Sequence, residues 1–188
     1  MLVPSRDMTV YQKYVVNATT AMRDGVVKVT FLGTSTLLLD DGRTRVLVDG
    51  FITRPSMLRV ATTPLRTNRQ LVDSTLNRLT RESIGAVFTV HSHYDHALDA
   101  AYIARTRGAR LYGSASTRMV GLGDGVNDDS ITVFVPGVVN RVGEFRVTAL
   151  RTTHSPQKSW SASSARSPTP CGSRRECGST RRAILSTC

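Results

Sequence analysis

The sequence predicts an α/β layered domain, on three observations. First, the runs Val26–Leu32, Thr36–Leu39 and Thr44–Val48 are nearly continuous in Leu and Val rather than alternating. A strand buried on one face alone would alternate with period two, so these runs predict a sheet covered on both faces. Second, segments with helical spacing interrupt the strands: Leu71, Val72, Leu76 and Leu79 within Gln70–Arg81, then Leu98, Ala101 and Ala104 within Ala97–Arg107. Strands and helices mixed in this order pack as layers. Third, three of the four histidines fall within Thr89–His96, directly after the strand-like run Ile84–Val90, which places a candidate site at a strand end.

Along the chain, residues 1–25 form a polar lead-in with charges at Arg6, Asp7, Lys13, Arg23 and Asp24 and no compact apolar core of a signal peptide. No run approaches the ~18 apolar residues needed to span a bilayer, so the expected location is cytoplasmic, without a membrane partner. Gly33-Thr34-Ser35 reads as a turn, and Asp41-Gly42 as a two-residue hairpin turn. Residues 50–66, with Pro55 and Pro64, read as a loop with a short helical turn. Gly108 closes the helix that starts at Ala97. Ala109–Tyr112 is a further strand, Ser114–Val120 a short helix, and Gly121–Gly125 a flexible turn that lacks the strand and helix of a phosphate-binding fingerprint. Ile131–Val135 and Glu144–Leu150 complete the strands, and the last leads to His154.

With 188 residues the chain suits one domain. The expected division is lead-in 1–25, domain 26–156 and tail 157–188. The tail holds six of the 25 basic residues and one of the 14 acidic ones, so nearly half of the net charge of +11 lies outside the domain. The overall charge therefore says little about nucleic-acid affinity of the folded part. The same segment carries eight serines between 158 and 188, with Ile184 and Leu185 as its only large aliphatics, and reads as disordered. Cys171, Cys177 and Cys188 match neither a zinc knuckle nor a closed disulfide set and read as free thiols. The tail's patternless mixture of Ser, Arg, Pro, Ala and Cys is also what a GC-rich gene yields out of frame, which predicts a frameshift near codons 155–160.

In extended backbone, side chains at i, i+2 and i+4 point the same way, so His91, His93 and Asp95 would converge, with His96 entering from the start of the next helix. Two imidazoles and a carboxylate beside a third imidazole suit Zn²⁺, which takes N and O ligands at about 2.0–2.2 Å. The order H-x-H-x-D-H resembles the signature of the metallo-β-lactamase superfamily. The resemblance extends over Val29–Leu39, Arg45–Gly50 and Thr152-Thr153-His154-Ser155, about residues 27–156 in all. It implies an αββα sandwich, of which this chain supplies the first half and the start of the second.

By the same resemblance, His91, His93 and His154 would hold one zinc, and Asp95 and His96 would help hold a second. Zinc would activate water for attack on an ester, thioester, lactam or phosphodiester of a small-molecule substrate, with Asp95 orienting the nucleophile or taking its proton. Asp49 corresponds to the aspartate near the family's metal site, and its residue type equally suits a turn or cap. Complete dinuclear members carry a later aspartate and a final histidine, whereas residues 155–188 contain neither, so the second site is incomplete. Three readings follow: a zinc hydrolase, a truncated relative that binds metal weakly and is inactive, and a basic nucleic-acid-binding module. A half-built sandwich would also leave an apolar face that favours self-association.

Overall fold

A computed structural model describes residues 25–153 and 181–182. Six strands form one mixed sheet in chain order: β1 (Lys28–Gly33), β2 (Thr36–Asp40), β3 (Arg45–Val48), β4 (Ala86–Phe88), β5 (Arg110–Gly113) and β6 (Ile131–Val133). Of the first three, β2 runs antiparallel to both its neighbours, and β3 to β6 run parallel. Parallel neighbours need crossovers, and helices supply them. Between β3 and β4 lie α1 (Met57–Thr62) and α2 (Arg69–Leu79), between β4 and β5 α3 (Tyr94–Ala97) and α4 (Ala100–Arg107), and between β5 and β6 α5 (Ala115–Gly123). A separate antiparallel hairpin follows, β7 (Val139–Val142) with β8 (Phe145–Thr148).

The near-continuous apolar runs now have their cause, because successive residues of the central strands enter two different cores. Leu47, Val87 and Leu111 point to the helices and pack with Val72, Leu76 and Ile103. Their neighbours Val46, Ala86, Phe88 and Tyr112 point to the other face, with Phe134 and Ala149, and Val142, Phe145 and Val147 pack against them from the hairpin. Phe88 stacks on Tyr112 at 4.5 Å between ring centroids, and on Phe134 at 5.9 Å. Helices, sheet and hairpin are thus the first half of the expected sandwich plus the start of the second. The run Val26–Leu32, expected to be covered on both faces, is not: the outer strand β1 has one partner, β2, among the described residues, and Val29 and Phe31 are exposed on it.

Several local expectations need correction. The loop between β2 and β3 has four residues, 41–44, because Asp40 pairs with Arg45. Asp41 Oδ1 accepts the N–H groups of Thr44 at 2.6 Å and Arg43 at 2.8 Å, which closes a longer turn than the Asp-Gly dipeptide implies. These backbone donors also hold the Asp41 carboxyl below its usual range. The helix expected over Ala97–Arg107 is two helices, broken at Leu98 and Asp99. Gly121 and Gly123, read as a flexible turn, lie in α5. Gly121 is there for contact: a Cβ would stand 2.8 Å from Leu111 Cδ2 and 2.9 Å from Ile131 Cδ1.

Strand β7 was not expected, since its residues Val139-Asn140-Arg141-Val142 carry little apolar signal. Its cue was Gly143, at φ 56°, which opens the two-residue turn into β8. In the tail, Arg181–Arg182 pair with Thr152–Thr153 as a two-residue ladder, where no regular structure was expected. The rest of the tail, the cysteines, the lead-in up to residue 24 and His154 lie outside the described residues. No helix among the described residues is long and apolar enough to cross a membrane.

Two outcomes follow from this packing. Leu111 is fully buried at the centre of the helix-side core, so Leu111→Ala should lower unfolding free energy by about 2–5 kcal/mol in urea titrations. Burial pushes the Tyr112 hydroxyl above its ordinary value, against a smaller opposing effect of Arg110. A raised folded-state pKa gives stability that is intact below the unfolded value and lost as pH rises through the folded one. The stability difference between wild type and Tyr112→Phe should therefore change above about pH 10, to the disadvantage of wild type, and stay constant at neutral pH.

Candidate metal centre

The site is built at the carboxyl ends of the adjacent parallel strands β3 and β4, where Val48 pairs with Phe88. Crevices at that end of parallel strands are the usual place for ligands in α/β sheets. After β3 the chain turns at Asp49, which is fully buried and takes a left-handed conformation with φ 57°. After β4 it runs through Thr89 and Val90 to His91, also buried, and enters α3 at Tyr94.

The first contact between the two strand ends is Asp49 N–H donating to Phe88 O at 2.7 Å. The Asp49 side chain adds two more. Oδ1 accepts Val90 N–H at 2.7 Å, and Oδ2 lies 2.7 Å from His96 Nδ1. An ionised carboxylate only accepts, so the His96 proton is assigned to Nδ1 and Nε2 is left as the free electron pair. Ser35 Oγ, from the turn before β2, lies 2.9 Å from the same Nδ1. Held on that side, His96 turns Nε2 towards Asp95, 3.8 Å from its Oδ2. This is the carboxylate–histidine arrangement that commonly orients metal-binding imidazoles.

Four of the five expected ligands come together. One ligand atom each from His91, Asp95 and His96 lies within 4.8 Å of the others. The group spans the two ligand sets that the resemblance implies, His91 from the first and Asp95 with His96 from the second. His93 joins through His91: His91 Nε2 and His93 Nδ1 are 2.9 Å apart. The His91 ring thus touches both other rings, with centroids 4.5 Å from His93 and 4.0 Å from His96. His154 is outside the described residues, so its part in the set rests on the sequence.

Two expectations about geometry change. Asp95 does not sit in extended backbone with His91 and His93; it lies in the first turn of α3. The helical turn is what brings Asp95 and His96, adjacent in sequence, to the same cluster. His96 is the third residue of that helix rather than its opening residue. Asp49 fills both roles weighed for it at once, a turn residue and the partner of a candidate ligand.

Sequence reasoning missed Ser35, which it read only as part of a turn, and Asp99, which it read only as part of a helix. A cue existed for Asp99, the only acid between Ala97 and Arg107. The residues between the histidines, Ser92 and Tyr94, face a groove of about 690 Å³ whose wall also includes Leu65, Arg66, Arg69 and Val120. Tyr94 packs edge-on against Phe51, with centroids 5.8 Å apart.

Residues 29–185 match the metallo-beta-lactamase superfamily. Solved structures with a similar fold include Igni18, a metallo hydrolase from the hyperthermophilic archaeon Ignicoccus hospitalis, at 21% identity and TM-score 0.49, covering 70% of this chain and 51% of that one. Another is the metallo-beta-lactamase SMB-1 in complex with mercaptoacetic acid, at 19% identity and TM-score 0.49, covering 66% and 50%. A third is a B3 metallo-beta-lactamase with an active-site glutamic acid, at 26% identity and TM-score 0.45, covering 65% and 47%. The chain spans about half the length of these structures. A search among curated proteins finds no match.

Asp49 supplies the outcome to measure. Asp49→Ala takes the carboxylate acceptor from the part-buried Val90 N–H and leaves His96 Nδ1 without its carboxylate, so it should cost about 1–3 kcal/mol in urea unfolding. Asp49→Asn keeps an acceptor for Val90 and should lose less. Equal stability of wild type and Asp49→Ala would remove the bridge from this account.

Proposed function

The chain belongs to the metallo-beta-lactamase superfamily, and from that premise we propose that it is a zinc-dependent hydrolase of a small-molecule ester, thioester, lactam or phosphodiester. The observation that carries the reading is the cluster itself: His91, Asp95 and His96 offer ligand atoms within 4.8 Å of one another, beside His93. Imidazole nitrogens with a carboxylate oxygen form a donor set that suits zinc. When bound, zinc supplies a Lewis acid that lowers the pKa of water towards ~7.

The chain's own residues do the rest. His91, His93 and His154 would form the set for one ion, and Asp95 with His96 half of the set for a second. Asp49 keeps His96 in the tautomer that leaves Nε2 available. Asp95, whose carboxylate is partly exposed, is placed to orient a water molecule and accept its proton. The groove behind Ser92 and Tyr94, at about 690 Å³, has the size of a small-molecule site.

One observation favours a second reading, a relative that binds metal but turns over little: residues 155–188 contain no aspartate and no histidine. Zinc content and turnover separate the two. The chain as it stands should hold about one zinc after dialysis, and His91→Ala or His93→Ala should each strip it, since loss of one ligand from such a site removes most of its affinity. Hydrolysis of p-nitrophenyl acetate or bis-p-nitrophenyl phosphate that disappears with the metal supports the hydrolase. Zinc retained without turnover supports the inactive relative, and equal zinc in wild type and His93→Ala overturns the ligand set.

A further inference from the structure

A second buried carboxylate, Asp99, plays no part in the cluster described above, yet it is fully buried. Burying such a group is costly unless hydrogen bonds saturate it. It stands at the N-cap position of α4 but makes no capping bond with its side chain. Instead it faces the loop that follows Asp49. Oδ2 accepts the N–H groups of Ile52 and Thr53, each at 2.7 Å, and Oδ1 accepts the Thr53 hydroxyl at 2.6 Å. The Thr53 hydroxyl in turn accepts Asn68 N–H at 2.8 Å, tying the loop to the start of α2.

Gly50 closes the connection to the cluster. Its N–H donates to His96 O at 2.7 Å, and its carbonyl accepts Asp99 N–H at 2.8 Å. The approach is so close that a Cβ on Gly50 would stand 2.5 Å from Ala100 N. Asp49, held in a left-handed conformation that a residue with a Cβ rarely adopts, is therefore fixed on both sides. Strand β3 holds it from before, and the loop bound by Asp99 holds it from after. A conformation of this kind persists only where its surroundings over-determine it.

We propose that Asp99 is a positioning residue for the metal centre. By clamping residues 50–53 against the α3–α4 corner, it keeps Asp49 in the one conformation that grips His96 Nδ1 and turns Nε2 towards Asp95, the other group that would help hold the metal. The functional meaning of this role rests on the reading of His96 as a metal ligand, while the positioning itself is visible without metal.

The test uses the full chain and two variants. Asp99→Asn replaces one acceptor oxygen by an NH₂ that cannot accept from the loop's donors. Thr53→Val removes one of the three bonds and carries the same comparison should Asp99→Asn fail to fold. The imidazole nitrogen shifts of His96, read in the metal-free protein by long-range ¹H–¹⁵N correlation, report its tautomer directly. Zinc affinity is measured alongside by competition with a chromophoric chelator.

Wild type should show a single Nδ1–H tautomer. Asp99→Asn should show averaged nitrogens and roughly a tenfold loss of zinc affinity, in the range of such outer-sphere changes, and Thr53→Val a smaller change in the same direction. Variants that melt at lower temperature but keep the wild-type His96 signature and zinc affinity would overturn the proposal and leave Asp99 a purely structural residue. A wild type that binds no zinc, with the His96 signature still lost in Asp99→Asn, would overturn the hydrolase reading and uphold the positioning role.

Discussion

The contact on which the centre depends is the Asp49 carboxylate, spanning Val90 N–H and His96 Nδ1 at 2.7 Å each. It joins the ends of two parallel strands and the helix after the second. It adds a side-chain bridge to the backbone hydrogen bonds and the Phe51–Tyr94 packing that tie the end of β3 and its loop to the strand end and helix that carry the cluster. One side chain thus sets register, tautomer and aim together. That is possible because Asp49 adopts φ 57°, which turns its side chain across the strand ends rather than along the sheet.

The sheet supplies the rigid base for this bridge. Its central strands β3, β4 and β5 are buried on both faces, by α2 and α4 on one side and by the β7–β8 hairpin on the other. The aromatic stack of Phe88, Tyr112 and Phe134 lies directly before the loop that carries His91. Close packing of this kind transmits little displacement. A site on loops can therefore stay ordered because the strand ends that carry it do not move. Small residues complete the arrangement, with Gly50 admitting α4 and Gly121 admitting Leu111 and Ile131.

Much of this was legible in advance, and the places where it was not are instructive. Strands β1 to β5 and the helix over residues 69–79 fell where apolar runs and spacing placed them. For β3 to β5 the reason is that burial on two faces writes itself into composition, whereas β1 keeps its apolar run with Val29 and Phe31 exposed. Strand β7 escaped because a hairpin with a wet side has no such requirement, leaving Gly143 as the only strong mark. The break at Leu98–Asp99 escaped for another reason. Helical periodicity continues across it, and Asp99 turns away from its own helix to bind a loop more than forty positions earlier.

The sequence by itself determined the donor chemistry of the site. Three histidines and an aspartate between positions 91 and 96 are a local property of the chain, and so is the strand that leads to them. Only the tertiary structure decided how they meet. The chain passes from extended to helical within the motif, so Asp95 and His96 converge through a turn of helix rather than by strand alternation. It also decided which residues orient them. Ser35 and Asp99 contact or steer a cluster from which each is remote or hidden in sequence. Asp49, already placed near the site by the resemblance, acts through hydrogen bonds between distant strand ends that leave no periodic trace in the chain.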